Sequence, residues 1–295
     1  MKTILVLTDF SARADHIAHY ALKLAQKVKA NLLLCNIVPV PAEPAFALAA
    51  WPTTNPDGFE EESTNALNEL TDRLNKKLDT ILKDEAFRPV INCCSKAGPV
   101  VETINKITSD KNLLMAVIGM HGADSIATFL LGDHASEIIE NAKCPVLVVP
   151  YQFPFRSFNK ISFASDLTHT SMDILHSLYG LTKYFDSEVL ITHVTDEKSV
   201  DIEQLNTESS FFNPGPVSIN FPKVRYRTVK NKSVTAGLDW LTEHTDIDLL
   251  VLVHRKRNFF QKIFEGSVTQ KLADHLIKPM LVFPGSRVHD TLPVF

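Results

Sequence analysis

A series of segments in the first half of this chain recurs, in the same order, in the second half, and this repetition limits the fold more than any other feature. Lys2-Thr-Ile-Leu-Val-Leu-Thr-Asp9-Phe-Ser11 is echoed by Lys160-Ile-Ser-Phe-Ala-Ser-Asp166-Leu-Thr168. Asn31-Leu-Leu-Leu-Cys-Asn-Ile37 is echoed by Glu188-Val-Leu-Ile-Thr-His-Val194, and Cys94-Ser-Lys96 by Arg227-Thr-Val-Lys230. Asn112-Leu-Leu-Met-Ala-Val117 returns as Asp248-Leu-Leu-Val-Leu-Val253, and Lys143-Cys-Pro-Val-Leu-Val-Val-Pro150 as Lys278-Pro-Met-Leu-Val-Phe-Pro284. Echoes in one fixed order mark a tandem repeat, and a unit of about 140 residues is an ordinary domain. The expected division is a first domain over 1–150, a linker over 151–158 around Phe153-Pro-Phe-Arg156, a second domain over 159–285, and a tail over 286–295.

Within the first copy, apolar runs alternate with helical patterns. Thr3 to Leu7 reads as a strand, and Ser11 as the N-cap of a helix over Ala12 to Val28, with Ile17, Tyr20, Ala21, Leu24 and Val28 on one face. Asn31 to Val38 is a continuous apolar strand, as expected where both faces of a parallel sheet are covered. Pro39 to Asp57 reads as a surface loop or lid, and Phe59 to Leu82 as an amphipathic helix carrying Leu67, Leu70, Leu74, Leu78 and Leu82. Pro89 to Cys94 and Leu113 to Ile118 read as strands, Pro99 to Ile107 and Ala135 to Asn141 as helices, and Pro145 to Pro150 as a last strand. Such alternation implies right-handed crossovers and a doubly wound parallel sheet. The expected fold is therefore two tandem flavodoxin-like α/β domains. Ligands bind such sheets beyond the carboxyl ends of the strands, where Asp9, Ile37 and Gly119 fall.

Composition removes several functional classes. Of 295 residues, 45% are hydrophobic and 22% charged, with a formal net charge of -4, an ordinary balance for a globular chain. It provides no electrostatic reason for nucleic-acid or membrane partners. No apolar run reaches the roughly 20 residues that span a bilayer. Met1 to Asp9 reads as a first strand and not a signal peptide, because an acid follows at once and no small-residue cleavage site is present. The four cysteines, Cys35, Cys93, Cys94 and Cys144, lack the CxxC spacing of a zinc site. Cys93 and Cys94 adjoin in a strand, so their side chains face opposite ways. Reduced thiols in a cytoplasmic protein are expected.

The chemistry concentrates in Val117-Ile-Gly-Met-His-Gly-Ala-Asp-Ser-Ile-Ala-Thr-Phe-Leu-Leu-Gly-Asp-His-Ala-Ser136. Gly119 and Gly122 close the fourth strand, and Gly132 stands at the mouth of the next helix. Glycines there let backbone N–H groups approach a ligand closely, and a helix N-terminus favours anions. Equally, the glycines solve turn geometry and nothing else. In the second copy Val253 stands opposite Gly119, Lys256 opposite Gly122, Gly266 opposite Gly132 and Ser267 opposite Asp133. The cluster His254, Arg255, Lys256 and Arg257 reads either as a phosphate or acidic-partner site or as a solvated loop.

Two glycines separated by two residues, then nine residues and a third glycine, resemble the nucleotide-binding signature of the universal stress protein family. The Thr8-Asp9-Phe10-Ser11 start and the second-copy Gly266-Ser-Val-Thr269 extend the resemblance over nearly the whole chain, to tandem members with the adenine nucleotide alpha hydrolase-like fold. The resemblance implies a pocket in the first copy. Thr8 and Asp9 would lie beside the ribose, and the backbone at Ile37 at the adenine edge. Ile118, Gly119, Met120 and Gly122 would line ribose and phosphates, with Gly132, Asp133, His134 and Ala135 opening the phosphate-receiving helix. Asp166, Val194, Gly266, Ser267, Val268 and Thr269 are the second-copy counterparts, where Val253 and Lys256 obstruct close approach. ATP-binding members carry Ser or Thr after the last glycine, where this chain has Asp133. Two like charges about 4 Å apart repel by roughly 4 kcal/mol at an effective dielectric near 20. ATP should therefore bind more weakly than AMP or adenosine, with Mg²⁺ entering only with a triphosphate.

Catalytic patterns are thin. Ser125, His121 and Asp124 are neighbours, but no Gly-x-Ser-x-Gly elbow holds them, and no Walker A motif is present. His16 and His19, three apart on a helix, lack a metal-binding carboxylate at metalloprotease spacing, and solvent exposure is expected for them. The expected function is a non-enzymatic cytoplasmic stress-response protein that binds AMP or ATP in its first copy. The alternatives are a nucleotide-free interaction or scaffold protein and a slow nucleotide hydrolase dependent on Asp9. A protein partner or self-association fits the first two. Family members pair through their last strands, so 145–149 and 279–283 are expected to pair as an intramolecular pseudo-dimer, hiding two sheet edges. Ser199 to Asn220 is a second variable loop.

Overall fold

The structure, a computed structural model, describes residues 1–39, 56–81, 86–120, 135–151, 153–167, 169–195, 223–254 and 278–284. The chain divides into two compact units, Met1–Phe155 and Arg156–Phe295.

The first unit holds strands β1 (Thr3–Leu7), β2 (Asn31–Pro39), β3 (Ile91–Gly98), β4 (Leu113–Met120) and β5 (Val146–Pro150). Its described helices are α1 (Ala12–Val28), α2 (Pro56–Ile81), α3 (Val100–Thr108) and α4 (Ala135–Asn141). All strand pairs in the unit are parallel, in the order β3-β2-β1-β4-β5, so the order reverses between β1 and β4. Ile4, Leu5 and Val6 are fully buried, as a strand covered on both faces must be.

Local signals explain most element limits. The Ser11 hydroxyl accepts from the Ala14 amide at 3.1 Å, capping α1, and Lys29 closes it in a left-handed conformation at φ 55. Ile17, Tyr20, Ala21, Leu24 and Val28 are all buried on the expected face. Leu67, Leu70, Leu74 and Leu78 of α2 are fully buried, while Leu82 lies outside the described residues. That helix starts at Pro56, three residues before the expected Phe59, because proline suits a first helical turn. Two strands differ from expectation. β3 runs over Ile91–Gly98 and not 89–94, since Ser95, Lys96 and Ala97 pair with Asn36, Ile37 and Val38. The polar side chains of Ser95 and Lys96 are tolerated because β3 is half-exposed along its length. β4 continues past Ile118, with Gly119 paired to Val149 and Met120 to Pro150. The expected lid at 39–57 falls mostly on residues 40–55, and the loop at 199–220 wholly, outside the described residues.

The second unit holds β6 (Lys160–Ala164), α5 (His169–Phe185), β7 (Glu188–Thr195), β8 (Val224–Lys230), α6 (Val234–His244), β9 (Leu249–His254) and β10 (Met280–Pro284). Its strands are also parallel, in the order β8-β7-β6-β9-β10, which is the first unit's order over again. The duplication extends to irregular backbone. Phe10 and Leu167 both take φ 61, and Lys29 and Asp186 take φ 55 and 54. The ladders pair Ile4 with Met115 and Ile161 with Leu249, so Val253 occupies the place of Gly119, as the sequence alignment requires.

Candidate functional site

In the first unit, β1 hands over to α1 through a turn locked by side chains. The Thr8 amide donates to the Cys35 carbonyl at 3.0 Å, and the Phe10 amide to the Thr8 hydroxyl at 3.1 Å. Asn36 on β2 donates through Nδ2 to the Thr8 carbonyl at 2.7 Å, and its Oδ1 accepts from the Ser63 hydroxyl of α2 at 3.0 Å. The positive φ of Phe10 lets Asp9 turn back, so Asp9 Oδ1 accepts from the Ser11 amide at 3.0 Å and its hydroxyl at 2.7 Å. The Asp9 carboxylate is thereby held at the carboxyl end of β1, beside the point where strand order reverses.

The second unit repeats the device with different side chains. The Ser165 amide donates to the Thr192 carbonyl at 2.9 Å, and the Leu167 amide to the Ser165 hydroxyl at 2.9 Å. His193 replaces Asn36, its Nδ1 lying 2.8 Å from the Ser165 carbonyl, which requires the proton on Nδ1. Asp166 corresponds to Asp9 and is exposed.

The sheet register brings Thr8, Asp9, Ile37, Ile118, Gly119 and Met120 to one sheet end, with Ile37 half-buried and Ile118 buried. Ala135 begins α4 and is buried. Gly122, Gly132, Asp133 and His134 lie outside the described residues, as do Ser125, His121, Asp124, Arg255, Lys256, Arg257, Gly266, Ser267, Val268 and Thr269. A Cβ at position 119 would sit 2.9 Å from Ile17 Cγ1, so glycine is needed there for α1 to pack on β4, independently of any ligand. Periodicity had placed Ile17 on the buried face of α1 without showing which strand residue it meets.

A cavity of about 260 Å³ opens at the corresponding sheet end of the second unit. Thr192 and Leu252 line it from the strands, Asp166, His193 and Val194 from the carboxyl ends of β6 and β7, and Val253 from β9. Ala164 and Ser165 add to the β6 side, and α6 contributes a further wall through Val234 and Leu238. That helix comes close because the fourth of its residues, Gly237, is a glycine. A Cβ on Gly237 would meet Val194 Cγ1 at 2.5 Å. The family resemblance assigns Asp166 and Val194 to this place, whereas the α6 wall and Thr192, which carry no motif, have no such signal.

The two helical histidines are engaged within the first unit. His16 Nε2 lies 3.0 Å from the Phe153 carbonyl and His19 Nδ1 2.7 Å from the Asp15 carbonyl. Both are half-buried and not solvent-exposed as expected, because α1 packs this face inward. Among the described residues no cluster of three ligating side chains could hold a metal ion, and no helix is long and apolar enough to cross a membrane.

A sequence profile described as the universal stress protein family matches residues 1–150 and 219–284. A universal stress protein of Methanocaldococcus jannaschii is 27% identical over 154 residues, covering 50% of this chain and 81% of that protein. Among solved structures, a universal stress protein from Archaeoglobus fulgidus superposes with a TM-score of 0.67 at 14% identity, covering 96% of each chain. A functionally uncharacterised protein of Pseudomonas aeruginosa superposes with a TM-score of 0.57 at 14% identity, covering 98% of this chain and 94% of that one. At these identities the structural likeness speaks for the fold alone.

Proposed function

The chain belongs to the universal stress protein family, and on that premise we propose that it is a non-enzymatic, cytoplasmic stress-response protein that binds an adenine nucleoside or its phosphates at its strand ends. The observation that carries this is the second-unit cavity, of about 260 Å³, with Asp166 among its lining residues. Its size is just below the range of about 300–1,000 Å³ usual for small-molecule sites, suiting a ligand of nucleoside size. Val234, Leu238 and Leu252 offer apolar surface to a planar base, and Asp166 offers acceptors to ribose hydroxyls. In the first unit both Ser11 contacts use Oδ1 of Asp9, leaving Oδ2 for the same task. Asp133 sets a charge against a triphosphate there.

Calorimetric titration of the nucleotide-stripped protein with adenosine, AMP and ATP tests this. Adenosine and AMP should bind wild type, and Asp166→Ala should weaken them about tenfold, or ~1.4 kcal/mol. ATP should bind more weakly than AMP, and Asp133→Ser should close that gap. A second reading, a nucleotide-free scaffold, is favoured by Val253, which stands in the cavity wall where the first copy has glycine. It prevails if neither wild type nor variant binds any of the three ligands.

A further inference from the structure

Cys35 on β2 and Cys94 on β3 are direct partners in the parallel ladder. Residues opposed in register on parallel strands send their side chains to the same face, and neighbouring strands lie about 4.8 Å apart. That spacing falls inside the range of about 4.4–6.8 Å between Cα atoms bridged by a disulfide. Cys93 identifies the face by contrast. Its thiol lies 3.3 Å from Asn68 Oδ1 of α2, so Cys94, one residue on, points to the opposite side of the sheet. The two thiols differ in access. Cys35 is 0% exposed, whereas Cys94 is only half-buried. Lys96, two residues along β3 and on the same face, adds positive charge near Cys94. Cys144, buried elsewhere, has its thiol pushed up to about 12 by desolvation and is inert.

We propose that Cys94 is a hydroperoxide-reactive thiol and that Cys35 is its resolving partner, the two closing a disulfide across β2 and β3. The adjacent Cys35 thiol, assisted by Lys96 against the cost of burial, holds Cys94 down to about 7. The neighbouring Cys94, together with burial, pushes Cys35 up, so it stays protonated, its thiol donating to the Asn36 carbonyl at 3.8 Å. Low pKa, partial access and an adjacent second thiol are the attributes of a redox-sensing cysteine. In the reaction the Cys94 thiolate attacks one oxygen of a hydroperoxide and the O–O bond breaks. The departing alkoxide or hydroxide takes a proton, leaving Cys94 as a sulfenic acid. Cys35 sulfur then attacks the Cys94 sulfur, its proton leaves with the hydroxide as water, and the S–S bond forms. Two thiols are oxidised by two electrons in total, and the hydroperoxide is reduced to an alcohol or water, plus water. The second unit has Thr192 and Arg227 at the matching register positions, so only the first unit carries the pair. Thr192 lines the second-unit cavity. By the repeat, Cys35 occupies the place equivalent to Thr192, and oxidation would alter the first unit near its strand ends.

The test uses the full chain, reduced, exposed to equimolar hydrogen peroxide, acid-quenched and alkylated under denaturing conditions for mass spectrometry. Wild type should lose two of its four thiols and yield a Cys35–Cys94 cross-linked peptide. Cys93→Ser should behave in the same way, which also removes the ambiguity of adjacent cysteines in one peptide. Cys94→Ser should react at least about tenfold more slowly, and Cys35→Ala, which keeps the buried site apolar, should accumulate a Cys94 sulfenic acid trapped by a 1,3-diketone. Cross-linking at Cys93 or Cys144, equal rates in wild type and Cys94→Ser, or Cys94 passing to sulfinic acid while Cys35 stays reduced would each overturn the proposal. So would retention of all four thiols in wild type.

Discussion

Position 119 shows how one residue can answer two demands. Gly119 belongs to a spacing that resembles a nucleotide signature, yet the structure gives it a packing task, since its missing Cβ admits Ile17. Ile17 is buried and branched, so an added methyl cannot be accommodated by a mobile side-chain tip. Gly119→Ala should therefore cost about 1–3 kcal/mol, the usual penalty of overpacking, read as a lower urea midpoint at unchanged slope. Combining it with Ile17→Ala should cost less than the sum of the single changes. Additive losses would mean that the contact carries no energy. Other single-residue features had no sequence signal. Phe10 and Leu167 adopt positive φ although neither is glycine or asparagine, and only the repeated bonds to Thr8 and Ser165 explain why both copies accept it.

At the scale of elements, the cavity depends on how one helix seats against one strand. Ser233 caps α6 through its hydroxyl, accepting from the Ala236 amide at 3.1 Å, so the helix start is locally encoded. Its depth is not. Gly237 allows α6 to close on Val194, and the same helix supplies Val234 and Leu238 to the cavity. Gly237→Ala should push α6 outward, lowering stability by about 1–3 kcal/mol and weakening any ligand of the second unit more than one of the first. Val194→Ala in that background should restore part of both, as a double-mutant cycle by urea unfolding and calorimetry would measure. Absence of any coupling would remove Gly237 as the determinant of the wall. Element limits themselves were largely legible: α1 matched at both ends because a capping serine and a clear apolar face bound it. β3 was not, because its second half is polar and joins the sheet only through its ladder with β2.

For the molecule as a whole, the duplicated order of strands means that each unit has its own set of five parallel strands and its own buried residues. The first unit centres on Ile4, Leu5, Val6, Val117 and Val148, contributed by three neighbouring strands. A domain of about 150 residues, the size of the first unit, buries about 68–70% of its unfolded surface, sufficient for independent folding. Residues 1–155 expressed alone should unfold cooperatively and keep the peroxide reactivity of Cys94. Non-cooperative melting would show that the first unit's core is insufficient by itself. What the sequence determined alone was the duplication, the alternation of strand and helix, and the place of Asp9 and Asp166 at strand ends. Those depend on local periodicity and on order along the chain, both written directly in residue types. Only the tertiary structure decided that Gly119 meets Ile17, that Cys35 faces Cys94, and that the second copy holds the described cavity. Each of these rests on a distance between residues remote in sequence, set by sheet register and helix docking, for which one chain read residue by residue contains no ruler.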